Sequence, residues 1–167
     1  MVILGISLGT STTGIAVISG GELTFSHTHS FRDTWTDDKA VLITSRYEHY
    51  IIQHRPHITI VKIPPVHHHS SALKQLLQTL KTLFQYHGCM VEYKTKEEMK
   101  AEMPDIQNHH QLMNHCVELY PILQPEYNKA VAGKNNYHAK LFDAVMVAHL
   151  GKASLQKAAG NNMSHSP

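Results

Sequence analysis

Cysteine is scarce in these 167 residues, with Cys89 and Cys116 the only two. Two thiols so widely spaced form neither a disulfide framework nor a metal motif, which suits a reducing compartment. No apolar run approaches the roughly 20 residues of a membrane span. The chain opens directly on a strand-like run without a basic leader, so the expectation is a cytoplasmic protein with no signal peptide and no membrane contact. Charge of one sign is also in short supply: 15 Lys and Arg stand against 13 Asp and Glu, a formal +2. That balance excludes a uniformly basic coat for nucleic acid, and any DNA footprint has to come from local clustering. Histidine breaks the pattern with 15 residues, so the net charge climbs steeply below about pH 6.5. A hydrophobic content of 42% is enough for one good core.

What is present begins with residues 2–18. An apolar run carrying Gly5 and ending at Ser7 and Leu8 leads into a tight loop of Gly9, Thr10, Ser11, Thr12, Thr13 and Gly14, then a second apolar run. This reads as two buried strands joined by a loop. Its glycines let backbone N–H groups approach a phosphate and its hydroxyls add donors, although a merely polar turn has the same composition. Gly20 and Gly21 make a turn into a third strand over 23–28, giving an antiparallel meander. Asp37 and Asp38 open an amphipathic helix that starts at 36 or 37 and closes at 54, before Pro56.

Residues 57–63 form a continuous β-branched run ending at Pro64-Pro65, as a buried parallel strand does. Leu73, Leu76, Leu77, Leu80, Leu83 and Phe84 then fall at helical spacing, with Ser70 or Ser71 at the start and Gly88 at the end. A short strand over 89–93 follows, and Thr95-x-x-Glu98 is a capping box for the next helix. Strand, helix and strand in this order make a right-handed βαβ unit.

The opening stretch resembles that of the ribonuclease H-like superfamily, above all RuvC-type Holliday-junction resolvases, matching at Gly5, Ile6, Gly9, Thr10, Gly14 and Val17. The resemblance continues through the 70–73 helix start, Met90-Val91-Glu92-Tyr93, Glu98-Met99-Lys100 and the final block 139–149, and covers residues 1–152. It implies an α/β ribonuclease H-like domain over 1–152: a five-stranded mixed sheet, strands one to three antiparallel, four and five parallel to one, with helices on both faces. Residues 153–167 are expected to be a flexible C-terminal tail.

The resemblance also implies a chemistry. Such resolvases hold two magnesium ions on an Asp in strand one, a Glu at the end of strand four and two acids, or a His and an Asp, three apart on the last helix. Mg²⁺ is hard and asks for oxygen ligands. Here the first position is Ser7, the second is Val61 or Lys62, and the third is Lys140; Asp143 alone retains the family's acid. Lys62 and Lys140 beside Asp143 would instead hold a phosphate by point charge. With Ser7, Thr10, Ser11 and Thr12 they are the candidate substrate-binding residues, and no metal site is expected. The alternative is an i,i+3 surface pair of Lys140 with Asp143 and a solvated Lys62.

Of the histidines, His67-His68-His69 follow strand four, where α/β proteins keep their sites, but make no closed metal motif. His109, His110 and His115 are further candidates. His138 lies five residues before Asp143, where three would match the family. A serine nucleophile at Ser7 lacks the strand-to-helix elbow such enzymes use.

The reading is therefore a RuvC-like nucleic-acid-binding homodimer without metal-dependent nuclease activity, its partner DNA, branched or duplex, or a protein. Two alternatives stay open. One is an active Mg²⁺-dependent endodeoxyribonuclease with a rearranged site that recruits Glu92 or Asp105. The other is a phosphate- or nucleotide-binding module like that of the actin-like ATPases, whose opening loop resembles residues 8–13.

Overall fold

The computed structural model describes residues 1–133 and 137–163. Three strands, β1 (Val2–Ser7), β2 (Thr12–Ser19) and β3 (Glu22–Ser30), form the antiparallel meander, and β4 (Ile58–Lys62) and β5 (Val91–Lys94) join it in parallel with β1. The sheet order is β3-β2-β1-β4-β5, the arrangement expected from the sequence. Helices α1 (Asp37–His54) and α2 (Ser71–Tyr86) cover one face; α3 (Lys96–Glu102), α4 (His109–Leu119) and α6 (Ala139–Met163) cover the other, with α5 (Gln124–Ala132) outside α4.

Strand alternation sends each residue to its layer. Leu4, Ile6, Ile15 and Val17 pack with Tyr47, Leu76 and Leu80 under α1 and α2, whereas Ile3, Ala16, Ile58 and Ile60 pack with Phe142, Val145 and Met146 of α6. Gly5 and Gly14 belong to the second layer. A Cβ on Gly5 would lie 2.2 Å from the Ala144 carbonyl oxygen, and one on Gly14 1.9 Å from that of Lys140. These glycines let α6 lie directly on β1 and β2, so their place in the pattern is explained by packing and not by a phosphate.

Local chemistry sets the helix ends. Thr36, Ser70, Thr95 and Asn108 each accept a backbone N–H in the first turn of α1, α2, α3 and α4, and Thr95 with Glu98 closes the full capping box. Arg55 ends α1 in a left-handed conformation, φ 47°, directly before Pro56. One boundary differs from the sequence reading: α6 does not stop at 152 but continues helically to Met163. Gly151 packs against Ile3 and Ile60, Leu155 packs on the core, and Ser154 donates a 2.6 Å hydrogen bond to Glu92. These contacts hold α6 against the core as far as Leu155, and the helical residues beyond it are mostly exposed. Residues 164–167 of the expected tail lie outside the described residues.

Candidate functional site

The parallel register places Ser7 directly opposite Lys62, and Lys62 opposite Lys94. All three side chains therefore leave the carboxyl ends of adjacent strands on the α6 face, where sheets of this type build their sites. Close approach of α6, allowed by Gly5 and Gly14, brings Lys140 and Asp143 over that edge. Four of the seven sequence-predicted residues, Ser7, Lys62, Lys140 and Asp143, thus converge on one crevice.

The lysines are not equivalent. Lys62 Nζ lies 2.6 Å from Asp143 Oδ2, with both side chains mostly buried. Lys140 does not pair with Asp143 as an i,i+3 neighbour; its ammonium donates to the Leu8 carbonyl at 2.9 Å. The Leu8 N–H in turn donates to the Lys62 carbonyl at 3.0 Å, so one residue at the end of β1 links the two lysine-bearing elements. The surface-pair alternative is thereby corrected, because the helix seats Asp143 toward β4 and Lys140 toward the β1–β2 loop. Burial, reinforced by the nearby Lys62 charge, pushes the Lys140 ammonium below its ordinary pKa against the opposing pull of Asp143.

Ser7 is 1% exposed and its hydroxyl has no hydrogen-bond partner among the described residues. It lines a cavity of ≈ 150 Å³ together with Lys62, Lys96 and Lys140. Beyond Lys62 and Lys96 lies a larger cavity of ≈ 350 Å³ bounded by α3, α4 and the start of α6, into which Asp143, Lys100 and His109 also open. His109 Nδ1 stands 3.9 Å from Asp143 Oδ1. Burial lowers the His109 pKa; the Asp143 charge opposes that shift, and the Lys62 and Lys96 charges add to it. Cys116, beneath the site, donates its thiol to the Phe142 carbonyl at 3.7 Å, and burial with the Asp143 charge raises its pKa.

His109, one of the histidine candidates of the sequence, opens into this cavity; Lys96 and Lys100 were not singled out, although one signal for Lys96 was present. The capping box at Thr95 starts α3 immediately after β5, which puts Lys96 at the carboxyl end of a parallel strand. Thr10 and Ser11 are in the β1–β2 loop and Thr12 opens β2, and none of the three lines either cavity. Ser11 accepts the Phe31 N–H at 2.7 Å, and Thr12 pairs with Ser30. Thr13 turns to the opposite face, where its hydroxyl donates to the Ser7 carbonyl and meets the Tyr47 hydroxyl at 2.7 Å.

The remaining histidines stand apart. His69 Nε2 contacts the Pro64 carbonyl at 2.8 Å, while His67 and His68 are exposed. His138 faces Glu126, with Nδ1 to Oε2 3.4 Å, and His115 faces Glu118. Among the alternative acids, Glu92 is held by Ser154 and by the buried Lys94, which also binds Glu102; Asp105 is exposed on the turn after α3.

A divalent metal centre of the kind the resemblance implies does not fit this donor set. Among the described residues Asp143 supplies the one carboxylate of the crevice, Lys62 already occupies it, and Ser7 and Lys140 are a neutral hydroxyl and a cation. No group of three or more His, Cys, Asp or Glu positioned to share a metal ion exists among the described residues. No helix among them is long and apolar enough to cross a membrane.

No family model and no curated protein matches the sequence. Solved structures do. Thermus thermophilus RuvC in complex with a Holliday-junction substrate superposes with a TM-score of 0.70 at 14% identity, covering 93% of this chain and 96% of that one. A second Thermus thermophilus RuvC structure gives 0.64 at 14% identity, covering 89% and 91%. The yeast mitochondrial Holliday-junction resolvase Ydc2 gives 0.65 at 11% identity, covering 87% and 75%. At these identities the likeness is one of architecture, and together with the sheet order and register it establishes the fold of this chain as the RuvC-like ribonuclease H fold.

Proposed function

We propose that this chain is a RuvC-like nucleic-acid-binding protein in which lysine ammonium groups stand where the resolvases place divalent cations, so that it holds backbone phosphate without metal-dependent cleavage. The observation that carries this reading is the 2.6 Å pair of Lys62 with Asp143. An ammonium bound to the retained acid neutralises it, and Lys140, Lys96 and Lys100 around the crevice have no carboxylate within ion-pair distance among the described residues. Backbone phosphates are the natural complement of such a cluster. The superposition on RuvC bound to a Holliday junction supports branched DNA as the first ligand to try.

The test is a gel-shift titration of the full chain with a four-way junction and a matched duplex at about 50 and 200 mM salt. The expected result is junction-preferring binding that weakens with salt. Equal, salt-independent binding to both, or none to either, would overturn the reading. Ser7→Asp is a second arm: it adds a carboxylate between two lysines and is expected to weaken binding without producing cleavage. The resemblance further supports a homodimer as the binding unit, which sedimentation of the full chain tests; a monomer at binding concentrations would count against it.

A further inference from the structure

The two cavities of the crevice share a wall, since Lys62 and Lys96 line both. On one side is the small polar space with the unpartnered, buried Ser7 hydroxyl and the Lys140 ammonium. On the other, the larger space has a floor of Met99, Met103, Ile106 and Leu112. The first is suited to a tetrahedral anion and the second to an apolar body. Methionine-rich floors adapt to flat, polarisable rings, and ≈ 350 Å³ is within the range that holds a small organic ligand. Gln107 and Asn108 at the rim offer side-chain amides to a polar ring edge.

We infer that the crevice accommodates one nucleotide unit, with its phosphate against Ser7, Lys62, Lys96 and Lys140 and its base in the methionine-lined cavity between α3 and α4. The shared lysines mark where the phosphate joins the sugar. This rests on the phosphate reading above and adds to it a base-recognising compartment. The nucleotide has two possible sources, a free mononucleotide or a residue displaced from a DNA strand, and both present the same chemistry.

Titrations of the full chain with a deoxynucleoside monophosphate, inorganic phosphate, and two short single strands, one normal and one with abasic sugars throughout, separate these parts. The expected result is at least tenfold tighter binding of the base-bearing ligand than of its base-free counterpart in one or both pairs. Preference in the mononucleotide pair identifies a free ligand, and preference confined to the strands identifies a displaced residue. Met103→Trp, which fills the cavity, is expected to erase that preference while phosphate and the abasic strand bind as before. Unchanged binding of phosphate and of the abasic strand by Met103→Trp guards against a folding defect. Base-free ligands binding as well as base-bearing ones would overturn the base compartment and leave the phosphate reading standing. Failure of all four ligands to bind would overturn both.

Discussion

Replacing Asp143 with Asn isolates the role of the retained acid. In the wild-type chain Asp143 accepts from Lys62 at 2.6 Å, and it is the one carboxylate lining the crevice among the described residues. Asparagine is nearly isosteric and its carbonyl still accepts a hydrogen bond, but the charge is gone and Lys62 is freed to neutralise a phosphate. One additional phosphate contact steepens the salt dependence of binding by about 0.9 in log–log slope, equal to about 3.5-fold in affinity between 50 and 200 mM salt. Binding at the lower salt is expected to tighten several-fold. Folding stability is expected to fall by about 2 kcal/mol, between the values for exposed and fully buried pairs, because the Lys62 charge stays partly desolvated. Junction titrations at four salt concentrations give the slope, and urea unfolding gives the stability. Weaker binding by Asp143→Asn with an unchanged slope would refute the reasoning, since it would mean that the carboxylate contributes to holding the ligand.

Gly14→Ala is expected to cost about 3 kcal/mol, because the new Cβ meets the backbone of Lys140 rather than a movable side chain; a shift of the urea midpoint reads it, together with loss of DNA binding as Lys140 and Asp143 are displaced. Arg55→Gly relieves the left-handed conformation at the end of α1 and is expected to stabilise by about 1 kcal/mol, readable as a rise in Tm. His29, beside the Tyr50 hydroxyl, has its pKa pushed down to about 4 by burial and by the neighbouring His27 and Arg46. Because the folded value is below the unfolded one, the unfolded chain takes up the proton first, and stability is expected to fall as pH drops from about 6.5 to 4. Thermal melts of His29→Phe across that window are expected to show a flatter acid limb; an unchanged limb would exclude His29 as its source.

The parts of this fold legible in the sequence are those written in local chemistry. Ser70, the Thr95–Glu98 box and the β-branched run over 57–63 each encode their element within a few residues, and the βαβ order then fixes the parallel half of the sheet. Ser7, Lys62 and Asp143 could be placed together because each sits at a strand or helix position that the fold brings to one edge. What the sequence could not show depends on contacts between distant segments. Gly14 looks like a phosphate-loop glycine until α6, more than 120 residues later, is seen lying on it. Thr13 looks like a loop donor until strand alternation turns it toward Tyr47. The Lys140 partner is a backbone carbonyl, which carries no residue identity to read. The methionine-lined cavity arises only when α3 and α4 pack beside α6, and the continuation of α6 depends on Gly151, Ser154 and Leu155 meeting the sheet.

The central claim is that lysine charge stands in for divalent metal in this crevice, and strand cleavage measures it most directly. With the full chain in excess over a labelled four-way junction, incubated with Mg²⁺ or Mn²⁺ and in parallel with chelator, bound and intact DNA is expected in every tube, with no gain in affinity from the metals. Metal-dependent appearance of nicked strands would contradict it and would mean that acids outside the Lys62–Asp143 pair assemble a working centre when DNA binds.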